Sequence, residues 1–75
     1  MMKITINTDY ITLGQFLKFT NIINNGGDAK IFLMTTVVYV NGELEQRRGR
    51  KLRAHDVVKV KDVEYEIDSY DSAKD

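Results

Sequence analysis

Apolar and polar residues alternate with period two from Lys3 to Asn7, which predicts a short strand at a sheet edge with Ile4 and Ile6 facing a core. The period then lengthens. Leu13, Phe16, Leu17, Thr20 and Ile23 fall on one face at helical spacing, and Phe19 and Ile22 widen the stripe. Thr12-Leu13-Gly14-Gln15 reads as a capping box that starts this helix, and Asn24-Asn25-Gly26-Gly27 reads as its stop. Asp28 is placed to cap a second helix, with Ala29, Phe32, Leu33 and Thr36 on one face. The β-branched run Thr35-Thr36-Val37-Val38 turns that helix into a strand near Thr36.

Val38-Tyr39-Val40 is a strand, and Asn41-Gly42 is the strongest short hairpin signal, since a type I′ turn needs positive φ at both central residues. The chain returns through Glu43-Leu44-Glu45 into an irregular basic segment. Val57 to Val60 form another strand. Val63, Tyr65 and Ile67 alternate with Glu64 and Glu66, giving a further strand or an extension past a bulge at Asp62. The whole reads as one α+β domain over residues 1–67, two short helices packed on a small, mostly antiparallel sheet, followed by an acidic, frayed tail over 68–75.

Seventy-five residues allow one small domain. One His and no Cys exclude nearly all zinc and iron–sulfur chemistry, so no cofactor is expected. No apolar run reaches the roughly 20 residues of a membrane span, and the first residues lack the apolar core of a signal peptide. A cytoplasmic monomer is the expectation. The zero net charge hides an asymmetry: residues 1–61 hold ten Lys/Arg and five acids, net +5, while 62–75 hold one Lys and six acids, net −5. A basic body of this kind points to a polyanion partner.

Arg47, Arg48, Arg50, Lys51 and Arg53 place five cations in seven residues. Forked guanidinium donors suit phosphate oxygens, and the crowding is relieved by a polyanion. The same run also fits a solvated loop with charge paired internally to Glu43, Glu45 and Asp56. Lys18 and Lys30 lie off the apolar stripes and add to the basic surface if they share its side. Of seven aromatics, the three Phe read as core, and Tyr39 is the one candidate for base stacking, although cross-strand packing explains it as well. Gly26-Gly27-Asp28 is a weak candidate phosphate cradle. His55 beside Asp56 reads as a turn residue rather than half of a dyad, because adjacent residues on extended chain point to opposite faces. Glu64 and Glu66 are partners for Lys59 and Lys61. No nucleophile–base pair is visible, so an enzyme is the last reading.

The order of two short helices, Val38-Tyr39-Val40-Asn41-Gly42, a basic loop and Leu52-Arg53-Ala54-His55-Asp56-Val57-Val58 resembles the S4 RNA-binding domain over roughly residues 3–61. Thr12 to Lys18 and Gly27 to Lys30 look closer still to small stand-alone S4 proteins of the YaaA type. The resemblance implies a helix pair on a small bent sheet, the αL motif, and a non-enzymatic module for structured, often ribosomal, RNA. It implies contacts from Lys30, Arg47, Arg48, Arg50 and Lys51, and more weakly from Lys18 and Arg53. Four positions depart from the family pattern. Thr12-Leu13-Gly14 replaces Arg-Leu-Asp and Asn25-Gly26-Gly27 replaces Ser-Arg-Ser, each removing a basic contact, while Thr36 and His55 stand where turn glycines are usual. A DNA-binding or replication-associated module, or a protein adaptor using the same basic surface, would show the same residues.

Overall fold

The structure is a computed structural model, and residues 1–70 are described. Strands β1 (Met2–Ile6) and β2 (Ile11–Thr12) precede helix α1 (Leu13–Phe19). A 3-10 turn (Gly26–Asp28) leads into helix α2 (Ala29–Thr35). Strands β3 (Val38–Val40), β4 (Glu43–Leu44), β5 (Lys51–Leu52), β6 (Val57–Val60) and β7 (Val63–Ser69) complete the chain. The main sheet has the order β1-β7-β6-β3-β4, and β2 pairs with β5 in a separate two-stranded ladder. All pairings are antiparallel except β1 with β7, so this is an α+β fold with two short helices and a mostly antiparallel, mixed sheet. No helix among the described residues is long and apolar enough to cross a membrane.

Each helix face follows its spacing. Leu13, Phe16 and Leu17 of α1 and Ala29 and Leu33 of α2 are buried against Val38, Val40, Val58, Val60 and Ile67 of the sheet. Phe16 meets Tyr65 edge to face at 5.3 Å between centroids, the orientation aromatic quadrupoles favour. Ile6 is buried and Ile4 half-buried, on an edge strand as the alternation required.

Helix α1 ends about one turn earlier than its apolar stripe suggests. Asn21 takes φ 62°. Its N–H donates to the Lys18 carbonyl, and the Ile22 N–H reaches back to the Leu17 carbonyl. That is the Schellman pattern with Asn in the left-handed position and Ile22 beside Leu17. Asn24-Asn25-Gly26-Gly27 is therefore not the stop, and Phe19 projects outward at 62% exposure instead of joining the core. At α2 the Asp28 side chain caps nothing. The Asp28 and Ala29 N–H groups are bound to the Asn25 and Gly26 carbonyls, so two donors that a phosphate cradle would use are occupied.

The turns hold two results. Asn41 (φ 52°) and Gly42 (φ 84°) take the expected positive values. Lys61 and Asp62 do so as well (φ 51° and 69°), with Val60 opposite Val63, so Asp62 lies in a two-residue hairpin turn and not in a bulge. His55 has φ 77°, as expected of a turn residue. Strand β7 runs to Ser69, with Asp68 opposite Thr5 and Ser69 opposite Ile6. The expected tail boundary after residue 67 thus falls inside a strand. Asp71 to Asp75 lie outside the described residues. The acidic stretch Glu64 to Asp68 sits within the sheet, where Glu64 faces Lys59 and Glu66 faces Lys3.

Candidate nucleic-acid interface

The basic loop connects β4 to β5, and one carboxylate organises it. Glu45 is the buried charged residue among those described. Its Oε2 accepts from the Gln46 and Arg47 backbone N–H groups (both 3.1 Å) and from Arg47 Nε (3.0 Å). Its Oε1 accepts from Arg47 Nη2 (3.0 Å) and Arg50 Nη1 (2.9 Å). The Arg47 side-chain bonds, helped by the Arg47 N–H and by Arg50, hold the carboxyl down to about 2 against an opposing push from burial. The Arg47 guanidinium is raised in turn by Glu45. A bidentate Arg–carboxylate fork is the strong form of the ion pair. Arg47 and Arg50, both expected to contact RNA, thus have their charge paired inside the loop.

The loop backbone caps α1. Leu13 N–H donates to the Arg50 carbonyl (2.8 Å) and Gly14 N–H to the Arg48 carbonyl (2.9 Å). The next N–H, of Gln15, goes to Thr12 Oγ1 (3.2 Å), and Gln15 Oε1 accepts from Thr12 N–H (2.9 Å), completing the expected capping box. Three N–H groups that a helix start leaves unpaired are therefore satisfied. Gly14 permits this approach. A Cβ there would stand 3.4 Å from the Arg48 carbonyl oxygen and 3.5 Å from the Cβ atoms of Arg48 and Ala29. Arg48 therefore lies where the starts of α1 and α2 meet.

Around that point lie Lys30, the second residue of α2, and Lys18, one helical turn beyond Gly14 on the same flank of α1. Lys18, Lys30 and Arg48 are exposed, and among the described residues their side chains make no hydrogen bond or ion pair. These three are exposed and unpaired, and so differ in kind from Arg47 and Arg50, which are paired to Glu45.

Lys51 and Arg53 form a second group. They flank buried Leu52 on β5 and so leave the strand on the same side. Both cover the Tyr10 ring, Lys51 Nζ at 4.9 Å and Arg53 Cζ at 5.3 Å from its centroid. Sequence pattern singles out Tyr39 and gives no signal for Tyr10. The pairing that brings Tyr10 to these cations joins Ile11 to Leu52 and Thr12 to Lys51, through strands of two residues with no periodicity to read. Tyr39 faces Lys59 and Leu44 across the sheet, the packing position expected of it.

Behind the loop, Asn41 pins the hairpin to β6. Its Oδ1 accepts from Val57 N–H (2.9 Å), its Nδ2 donates to Asp56 Oδ1 (3.1 Å), and Asp56 Oδ2 accepts from Arg53 N–H (2.8 Å). Asn41 and Asp56 thus set the end of the basic segment. His55 Nδ1 approaches Glu66, at 4.0 Å, and not Asp56.

The S4 domain family matches residues 4–68. A protein of Bacillus subtilis (strain 168) described as "Probable ribosome maturation protein RlbA" is 54% identical over 57 residues, covering 76% of this chain and 80% of the relative. The helix pair, the hairpin and the loop docked on α1 all lie within the matched span, and the chain belongs to the S4 domain family.

Proposed function

We propose that this protein is a non-enzymatic, cytoplasmic RNA-binding module that acts as a monomer on structured RNA, ribosomal RNA among it, and serves ribosome maturation. The observation that supports the reading is that Arg48, Lys30 and Lys18 are exposed and unpaired among the described residues, while Arg47 and Arg50 are paired to Glu45 in a loop whose backbone is docked on the start of α1. A-form RNA offers side chains little in its narrow major groove, so a rigid basic surface reads phosphates, 2′-hydroxyls and shape. Lys51 and Arg53 extend the surface past Tyr10. Arg47 and Arg50 shape the loop, and any phosphate contact from them is secondary. Membership of the S4 family and the name of the relative support the same direction.

Fluorescence anisotropy with a ribosomal RNA helix across a salt series tests this. Contacts from Lys18, Lys30, Arg48, Lys51 and Arg53 give a log–log salt slope of about −3.5 to −4.5. Arg48→Ala reduces the slope by about one and leaves thermal stability unchanged. Arg47→Ala lowers stability and leaves the slope nearly intact. A wild-type slope near zero, or an equal affinity for a matched DNA duplex, refutes the proposal. Retention of a protein partner after nuclease treatment, without RNA affinity, would favour an adaptor instead.

A further inference from the structure

A hollow of about 800 Å³ lies between the end of β1, the segment leading to β2 and the outer side of α1. Its walls include Tyr10, Phe19 and Tyr70, three exposed aromatic rings, with Asn7, Asp9 and Gln15 among them. Neither the core nor the interface described above accounts for Phe19 or Tyr70, which are 62% and 61% exposed. Single exposed apolar residues need no explanation, but three rings around one groove of small-molecule size do.

The chemistry of the walls narrows the occupant. The Tyr10 ring lines the groove and also carries Lys51 and Arg53 at its face, so an aromatic wall adjoins two cations. Gln15 Oε1 is held by Thr12 N–H, which leaves its amide N–H groups for a ligand. Asn7 offers a second amide, and Asp9 offers an acceptor for an amino group. Flat apolar walls, hydrogen-bonding groups between them and positive charge at one side match an unpaired nucleotide, with the base between the rings and its phosphate toward Lys51 and Arg53.

We propose that this groove takes an unpaired nucleobase extruded from the bound RNA, favouring bases with an exocyclic amino group over uracil through Asp9. The proposal rests on the RNA-binding reading and adds a second site beside the basic surface. It makes the preferred target a helix with a bulged or flipped nucleotide rather than a uniform duplex.

Anisotropy of the full chain with three otherwise identical RNA hairpins tests it: fully paired, with one bulged adenine, and with one bulged uracil. The bulged-adenine hairpin binds about 5- to 150-fold more tightly than the paired one, the range one stacked base contributes, and bulged uracil falls between. Phe19→Ala and Tyr70→Ala, both at exposed positions, remove the preference and leave the affinity for the paired hairpin unchanged. Equal wild-type affinity for paired and bulged hairpins, or a preference that survives both substitutions, overturns the groove while the RNA-binding reading stands. A second arm separates the two readings from the other side. Adenosine monophosphate titrated to millimolar levels shifts the Phe19 and Tyr70 ring signals in NMR spectra. Such shifts without affinity for any hairpin would remove the RNA-binding reading and the extruded base with it, and the absence of both would overturn both.

Discussion

Glu45→Gln is the substitution that most directly probes the loop. It keeps the shape of the side chain and removes the charge that Arg47 and Arg50 share. A carboxyl held at about 2 instead of the ordinary 4.5 stabilises the fold by at most about 3 kcal/mol at neutral pH. The Arg47 side chain is 76% exposed, so solvent screens part of this, and a loss of about 1–2 kcal/mol is the expected effect. For a domain of this size that lowers Tm by about 4–16 °C. The sign with pH follows from the direction of the shift. A depressed carboxyl pKa contributes fully above its unfolded value and loses its contribution as pH falls through the folded value. The wild-type advantage over Glu45→Gln therefore stays level from pH 7 to about 4.5 and disappears toward about pH 2. Thermal unfolding followed by circular dichroism at pH 7, 4.5, 3 and 2 measures it. Equal Tm values at pH 7, or a difference that does not shrink on acidification, refute the assignment.

The same variant separates charge from shape in RNA binding. Glu45→Gln raises the net charge by one and releases two guanidinium groups, which by electrostatics alone tightens binding. The structure predicts the opposite. The carbonyls of Arg48 and Arg50 sit on Gly14 and Leu13 only while the loop keeps its path. Reordering even one loop residue on binding costs about 1 kcal/mol, or about fivefold in affinity. Tighter binding by the variant would show that Glu45 merely masks positive charge.

Three further outcomes follow from the backbone. Asn41→Ala loses the bonds to Val57 and Asp56 and keeps an unfavourable positive φ, costing about 2–3 kcal/mol in urea unfolding, and Asn41→Gly is less harmful because only the bonds are lost. Asp62→Gly relieves a residue at φ 69° in the β6–β7 turn and raises Tm by about 2–8 °C for a gain of about 0.5–1 kcal/mol. Gly14→Ala is tolerated, since its Cβ meets the Arg48 carbonyl at 3.4 Å, whereas Gly14→Leu displaces the loop and weakens RNA binding in the anisotropy assay.

What could be read from the sequence was local. The Thr12–Gln15 box and the Asn41-Gly42 turn each place their signal within four residues, and both form as expected. The early end of α1 was also written locally, in Asn21. Its signal was outweighed by Ile22 and Ile23, whose apolar character extends the helical stripe although they pack as a returning segment. The Lys61-Asp62 turn carried no glycine or asparagine to announce it. Pairing across the sheet holds Lys61, a residue that seldom adopts positive φ, in that region beside Asp62. The parallel union of β1 with β7 joins the two ends of the chain, and no neighbouring residues encode it. It carries Asp68 and Ser69, the first residues of the expected acidic tail, into an interior strand.

The site was legible as a charge count and illegible as an arrangement. Five cations in seven residues say that the segment is basic, but a count treats Arg47 and Arg48 alike. Their difference arises from where β4 ends. Pairing of Val40 with Glu43 and of Tyr39 with Leu44 turns Glu45 inward, where its N–H meets the Val38 carbonyl and its carboxylate must find donors. A buried carboxylate left unpaired is costly, so the nearest guanidiniums fold over it. Arg48 falls between Arg47 and Arg50, and its carbonyl is committed to Gly14, so its side chain is left to the outside. The loop gives up part of its charge to fix the rest in place. A loop with all its cations unpaired would hold more charge and lose it in entropy on meeting the RNA. On the proposed reading, an Arg48 whose backbone is fixed on Gly14 has less to order when its side chain meets a phosphate.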